Sequence, residues 1–170
     1  VLFLKTTKEL DKTMIGDFIS DDNEQSKQIL YRFIDEMSFA GTPFVEGMKK
    51  LLAGFRLPGE GQKADRIMEK FGEKFHWDNP TIFETAECVY LLAFATMMCQ
   101  TSIHNPAAWQ NNFMTCDQFK NMCKGINNGK NIDPEFMESI YKTIETDPVS
   151  LKEDDDARMK LESSQANTFK

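Results

Sequence analysis

The amino-acid sequence predicts an all-α protein, and three observations support this. Apolar residues recur at spacings of three and four through most of the chain, the period of an amphipathic helix. We find no convincing alternation of apolar and polar residues, which would indicate strands. The 170 residues include only 9 glycines and 6 prolines, too few for a loop-rich β fold. A chain of this length can bury one sizeable core.

The first half of the chain divides into amphipathic helices separated by turn signals. Asp11 is a candidate N-cap for a helix through Phe18, and residues 20–22 are expected to break that helix and cap the next. A turn at 41–43 places Pro43 near another helix start. Three apolar stripes predict buried faces: Ile29, Leu30, Phe33, Ile34 and Met37; Phe44, Met48, Leu51, Leu52 and Phe55; and Ile67, Met68, Phe71 and Phe75.

The second half contains the predicted centre of the fold. Residues 84–99 are apolar nearly all round, which indicates a buried central helix. Shorter helices are predicted near 115–123 and 134–145. The last twenty residues are charged and lack a stripe. We therefore divide the chain into a domain, residues 1–150, and a charged C-terminal linker or terminal helix, residues 151–170.

Composition excludes several function classes. Acidic residues outnumber basic ones by 27 to 20, a net charge of −7, which disfavours binding to nucleic acid or to anionic membranes. The four cysteines form no C-x-x-C pair and there are only two histidines, so we expect no metal. The cysteines lie in apolar-periodic stretches, which indicates reduced, partly buried thiols. No signal-peptide pattern is present, and we expect a cytosolic protein.

Residues 54–62, GFRLPGEGQ, form a connection that combines apolar residues and a proline with a lone carboxylate. One interpretation is a simple helix–helix turn, with Gly54 as a C-cap and Glu60 near the next helix N-terminus, where its charge suits the helix dipole. A phosphate-binding loop is excluded because Glu60 stands where that loop has its lysine.

Residues 97–106, MMCQTSIHNP, close the central helix. They can be interpreted as a helix end with Asn105 and Pro106 as stop signals and His104 as a hydrogen-bonded packing residue. No serine or cysteine nucleophile has a recognisable acid–base partner nearby.

These two segments carry a family resemblance. FRLPGEGQKADR, residues 55–66, resembles the first signature of the Sec-seven domain, the catalytic module of Arf guanine-nucleotide exchange factors. TSIHNP, residues 101–106, resembles the second, with the family's separation of 45 residues between Glu60 and Asn105. LDKTMIGDFIS, FVEGMKKLLAGF and KGINNGKNIDPEFMESIYKTI also fit, so the resemblance covers about residues 3 to 148.

The resemblance implies a right-handed superhelix of stacked helices with a groove on one side. We expect the N-terminal helices of the family to be absent from this chain. The implied partner is an Arf-family small GTPase in its GDP-bound and nucleotide-free states. Glu60 matches the family's glutamate finger, which displaces Mg²⁺ and the β-phosphate. The implied activity is guanine-nucleotide exchange in vesicle trafficking, with no cofactor. Because no covalent bond is made or broken, we do not class it as an enzyme.

The resemblance also implies a set of GTPase contacts. Asn105 matches the family's second important polar residue and could hydrogen-bond the switch backbone. For Met97, a place in the core is an equal alternative to a place in the groove. For Asp65 and the neighbouring Arg66, a helical ion pair without a partner role stays open. The remaining expected contacts are Met98, Ile103, Ser102, Thr101, Phe55 and Arg56.

Departures from the family pattern motivate a first alternative. Gly61, Ala64 and Gln100 differ from the usual family residues, which suits an Arf-binding scaffold or effector with weak or no exchange activity. A second alternative is an unrelated helical adaptor with a methionine-rich groove, which predicts no effect on nucleotide release. We expect an isolated domain that is monomeric, binds no nucleic acid and does not insert into membranes. The intact protein is expected to be cytoplasmic and peripheral at Golgi or endosomal membranes.

Overall fold

The computed structural model of the protein describes residues 1–106, 113–150, 156, 159, 160 and 162–164. Helices account for nearly all regular structure in these residues, which contain no β-strand and only one isolated bridge, between Asn127 and Lys130. The predicted all-α class is therefore confirmed. The helices are α1 (Leu2–Thr6), α2 (Lys12–Ile19), α3 (Glu24–Asp35), α4 (Phe44–Ala53), α5 (Gly61–Asp78), α6 (Ala86–His104), α7 (Cys116–Met122) and α8 (Pro134–Thr146).

Helix α6 lies at the centre and packs against α5, α7 and α8. By length and composition alone α6 could cross a membrane, but half of its apolar window is buried within the domain, as in core helices of soluble proteins. The three stripes predicted from the sequence face the same core. Aromatic rings form a connected cluster there through edge-to-face and tilted contacts, contributed by Phe39, Phe44, Phe71, Phe75 and Phe83.

Side-chain caps explain where several helices begin. The Asp11 carboxylate accepts hydrogen bonds from the backbone of Thr13 and Met14, which confirms the predicted cap of α2. The predicted cap of α3 at residues 20–22 is wrong, because Asn23 accepts from the Ser26 backbone instead. The Ser20 hydroxyl instead donates to the Gly16 carbonyl, four residues earlier in the last turn of α2.

Other boundaries differ slightly from the predictions. The central helix begins at Ala86 rather than at residue 84, with Thr85 as its cap, and continues to His104. Helix α1 was not predicted, since none of its five residues is buried and no stripe marks it. The predicted linker or terminal helix at 151–170 lies largely outside the described residues, and those described there are helical.

Candidate functional site

The segment between α4 and α5, residues 54–60, is called the finger loop below. Gly54 ends α4, as predicted, and Glu60 occupies the N-cap position of α5. The Glu60 side chain is exposed and makes no capping hydrogen bond within the described part of the chain. Its carboxylate is therefore presented to solvent at a helix start, beside backbone N–H groups that favour negative charge.

The finger loop is fastened to the core on its inner side. The Phe55 ring is completely buried and meets the Phe33 ring edge to face, with centroids 5.6 Å apart. The Arg56 backbone N–H donates to the Lys12 carbonyl at 2.9 Å. Helix α2 approaches so closely that a Cβ on Gly16 would lie 2.0 Å from the Arg56 carbonyl oxygen. The loop thus has a fixed base and an exposed acidic end.

Two consecutive residues after α8, Val149 and Ser150, connect the end of α6 with the finger loop. The Gln100 side chain, buried near the end of α6, bonds both backbone groups of Val149, donating at 2.6 Å and accepting at 2.7 Å. The neighbouring Ser150 hydroxyl accepts a hydrogen bond of 2.6 Å from the Arg56 guanidinium. The finger loop and the end of α6 are therefore held on adjacent residues of one segment, although 45 residues separate Glu60 from Asn105.

The second signature forms the last turn of α6 and its cap. Helix α6 ends at His104 and Asn105 is its C-cap, so the predicted stop is confirmed. The His104 Nε2–H can donate to the Ile144 carbonyl at 2.6 Å, the packing role considered from the sequence. The Ser102 hydroxyl accepts a 2.6 Å hydrogen bond from the backbone of Met114, which ties the chain before α7 to α6.

The residues predicted to contact a GTPase differ in how exposed their side chains are. Met98 is 57% exposed, Asp65 is exposed, and Met97, Thr101, Ser102, Asn105 and Arg56 are half-buried. The side chains of Phe55 and Ile103 are 0% and 8% exposed and pack in the core, so the structure does not present them at the surface as the predicted contacts would require. Apolar periodicity puts both residues on inward faces, which explains their burial.

Two cations near the start of α5, Lys63 and Arg66, are paired within the domain. The Lys63 ammonium lies 2.7 Å from Asp21, and this hydrogen bond raises the pKa of Lys63. Arg66 donates to the Ser20 carbonyl at 2.5 Å and pairs with Asp22 at 3.3 Å. These cations join the start of α5 to the α2–α3 turn, which favours a structural role for Arg66.

Asp65 has a partner that the sequence did not indicate. The Tyr90 hydroxyl of α6 donates to the Asp65 carboxylate, and this hydrogen bond raises the pKa of Tyr90 to about 12. The helical ion pair considered for Asp65 and Arg66 is therefore not formed, since Arg66 turns to the α2–α3 turn. Among the described residues, no group of three or more acidic, histidine or cysteine side chains could hold a metal ion.

Sequence reasoning missed two residues that position the site. Nothing in the sequence singled out Gly16, and Gln100 stood out only as a departure from the family pattern. Neither role can be deduced locally, because each depends on a contact with a distant segment, the finger loop for Gly16 and Val149 for Gln100. The one available signal was the amide side chain of Gln100 near the end of an apolar helix, because a buried amide needs hydrogen-bond partners.

Comparisons with known proteins identify related sequences. The family model described as the Sec7 domain matches residues 1–149. The brefeldin A-inhibited guanine nucleotide-exchange protein 2 of Arabidopsis thaliana is 39% identical over 153 residues, 90% of this chain and 8% of that protein. The chain thus spans less than a tenth of the length of that relative.

Solved structures match over the same region. The crystal structure of the Sec7p catalytic domain superposes with a TM-score of 0.81 at 34% identity, covering 86% of this chain and 76% of that one. A Sec7 domain bound to ARF1-GDP and brefeldin A superposes with a TM-score of 0.80 at 32% identity, covering 89% and 76%. The resemblance found in the two signatures is confirmed, and the chain belongs to the Sec7 domain family.

Proposed function

We propose that this domain is a guanine-nucleotide exchange factor for an Arf-family GTPase and that Glu60 is its glutamate finger. The observation that carries the proposal is the exposed carboxylate of Glu60, which makes no capping hydrogen bond to α5. It stands on a loop whose base is packed and hydrogen-bonded to the core. The end of α6, with Asn105 and the exposed Met98, is tied to the same loop through residues 149 and 150.

Elementary electrostatics explains what such a carboxylate can do. A GTPase holds GDP through its phosphate-binding loop, a lysine and Mg²⁺, which bridges phosphate oxygens. A second anion brought beside the β-phosphate repels it, displaces the metal and can pair with the lysine that the phosphate leaves. Glu60 would then stabilise the nucleotide-free complex. It transfers no proton and forms no covalent bond.

One face of α6 supplies the second half of the proposed mechanism. Met98 is exposed, and Phe94 and Met97 are half-buried, so an apolar strip follows the helix toward Asn105. An exchange factor must bind switch segments in an altered arrangement, which requires contacts that the GDP-bound form does not make. Methionine side chains adapt to such a changing surface.

The departures from the family pattern do not disturb this arrangement. A Cβ on Gly61 would meet nothing within 4 Å. Ala64 is buried at 7% exposure. Gln100 contributes two hydrogen bonds that hold the site together. We therefore place the scaffold with weak or no exchange activity second. By the same resemblance we propose action in vesicle trafficking, from the cytoplasm, at Golgi or endosomal membranes.

The test is release of a fluorescent GDP analogue from purified Arf proteins after addition of excess GTP. We expect this domain, at one tenth or less of the Arf concentration, to accelerate release from at least one Arf. Stable binding to Arf without acceleration would support the scaffold. An absence of both would contradict the proposed function, and a Ras-type GTPase serves as the negative control.

Replacing Asn105 by alanine is expected to slow exchange roughly ten- to a hundred-fold. The proposed hydrogen bond to the switch backbone would be lost at a desolvated interface, at a cost of about 1–3 kcal/mol. The measurement is the exchange rate at limiting domain concentration, with the urea midpoint as a control for folding. A folded variant with an unchanged rate would leave Asn105 as a helix cap only.

Exchange by this domain is expected to resist brefeldin A, although the Arabidopsis relative is named as inhibited by it. By resemblance, sensitive members carry Tyr-Ser where this chain has Phe94-Ala95, and Asp where it has Ser102. The Ser102 hydroxyl is already bonded to Met114, and Phe94 and Ala95 offer no polar group. A drug buried there would leave polar groups unpaired, at about 1–3 kcal/mol each.

The measurement is exchange on a non-myristoylated Arf across a brefeldin titration. The double variant Phe94→Tyr with Ala95→Ser is the positive control, and we expect it to gain sensitivity. Inhibition of the unmodified domain at low micromolar drug would contradict the prediction.

A further inference from the structure

We propose that Ser150 is a phosphorylation site whose phosphate is held by a cationic pocket that includes Arg56 of the finger loop. Ser150 is exposed and lies in the irregular segment that follows α8. Its hydroxyl accepts a 2.6 Å hydrogen bond from the Arg56 guanidinium, which also donates to the Ser150 carbonyl at 3.3 Å. A guanidinium already aimed at the hydroxyl oxygen would meet phosphate oxygens with the same donors.

The surroundings of Ser150 supply further positive charge. Ser150 and Arg56 line a cavity of about 290 Å³ together with Lys12, Lys49 and Asp147. Lys49 pairs with Asp147 at 2.5 Å and with Glu46 at 3.3 Å, so Lys12 and Arg56 carry the positive charge that a phosphate in the cavity would meet. A phosphoserine carries about 1.5 to 2 negative charges at neutral pH. Lys12 and Arg56 thus line the same cavity as Ser150 and have the sign of charge that a phosphate there requires.

The sequence after Ser150 indicates the class of kinase. The chain continues Leu-Lys-Glu-Asp-Asp-Asp, which places acidic residues three to six positions beyond the serine. A kinase with a basic substrate groove recognises this pattern by charge complementarity. The γ-phosphoryl group of MgATP would pass to the Ser150 oxygen as its bond to the β,γ-bridging oxygen breaks, with ADP leaving and the hydroxyl proton taken by the base of the kinase.

A phosphate on Ser150 would strengthen the attachment of the finger loop to the rest of the domain. The Arg56 backbone N–H is bonded to the Lys12 carbonyl at the start of α2, and its side chain reaches the segment after α8. A phosphate on Ser150 would join these three parts of the fold through charge-assisted hydrogen bonds. We expect phosphorylation to stabilise the domain, whether or not it acts on Arf.

The experiment treats the full chain with casein kinase 2, an acid-directed serine kinase, and MgATP. Mass spectrometry locates the phosphate, and thermal unfolding is recorded before and after treatment. We expect one phosphate on Ser150, and a rise in Tm of about 2–4 °C that Ser150→Ala does not show. The rise should vanish in Arg56→Ala and persist in the control Arg32→Ala, which removes an exposed arginine from α3.

Three results would overturn the proposal. They are an unmodified Ser150, a phosphorylated chain with unchanged Tm, and an equal rise in Arg56→Ala. If Arg56→Ala does not fold, Lys12→Ala replaces it. A rise in Tm on phosphorylation that is as large in Lys12→Ala as in the unmodified chain would then contradict the pocket. Since the readout is thermal, failure of the proposed exchange activity would leave this test unaffected.

Discussion

Replacing Glu60 by lysine is expected to abolish nucleotide exchange while the domain stays folded. The lysine would attract the phosphates that the glutamate repels, so the GDP-bound complex is stabilised and the nucleotide-free one is not. Loss of one preorganised electrostatic group typically costs about a hundred- to a thousand-fold in rate. Glu60 is exposed, and reversing its charge at a helix start should cost no more than about 1 kcal/mol of stability. The measurement is GDP release from Arf, together with the urea midpoint.

A matched charge reversal controls for the effect of the helix dipole. Glu135 is also exposed and lies in the first turn of a helix, α8. Glu135→Lys therefore carries a similar unfavourable interaction with a helix N-terminus, about 0.3–1 kcal/mol, without touching the finger loop. We expect it to exchange normally. A folded Glu60→Lys with the rate of this control would remove Glu60 from the mechanism.

Replacing Gly16 by alanine is expected to have the second largest effect, on stability and exchange together. The added Cβ would lie 2.0 Å from the Arg56 carbonyl oxygen, a backbone atom that no side-chain rotation can move aside. Either α2 or the finger loop must shift, and overpacking of this kind costs about 1–3 kcal/mol. A shift of the order of 1 Å in a functional group can lower a rate about a hundred-fold. Urea unfolding and GDP release measure the two effects.

Gly61→Ala is the matched control for this substitution. It makes the same chemical change one residue after Glu60, but its Cβ would meet nothing within 4 Å. Because alanine favours helix and restricts the unfolded chain, we expect stability to rise by up to about 1 kcal/mol with exchange retained. Equal behaviour of Gly16→Ala and Gly61→Ala would show that the close approach of α2 does not position the loop.

The periodic parts of this fold could be predicted from the sequence, and the parts that depend on distant contacts could not. The stripes of α3, α4 and α5 identify inward faces, because residues three and four apart share one side of a helix. The N-cap of α2 at Asp11 could also be predicted, since its hydrogen-bond donors are only two and three residues away in the sequence. The helix α1, with no buried residue, left no pattern to find.

The candidate site shows the same division. Glu60 and Asn105 stood out through their signatures, and their local positions, a helix start and a helix end, follow from nearby turn residues. Phe55 was expected both in an apolar stripe that faces inward and, through the first signature, among the GTPase contacts, and its side chain is buried. The roles of Gln100 and Gly16 required the segments that fold against them, 49 and 40 residues away.

The buried Phe55 ring has a consequence for local unfolding. Since this ring packs edge to face on Phe33 inside the core, the finger loop cannot detach without opening part of that core. Its free energy of opening should therefore approach that of global unfolding, unlike that of an ordinary surface loop. The Arg56 amide, bonded to the Lys12 carbonyl, should be among the slowly exchanging hydrogens of the domain. A partner that meets so rigid a loop loses little affinity to ordering it.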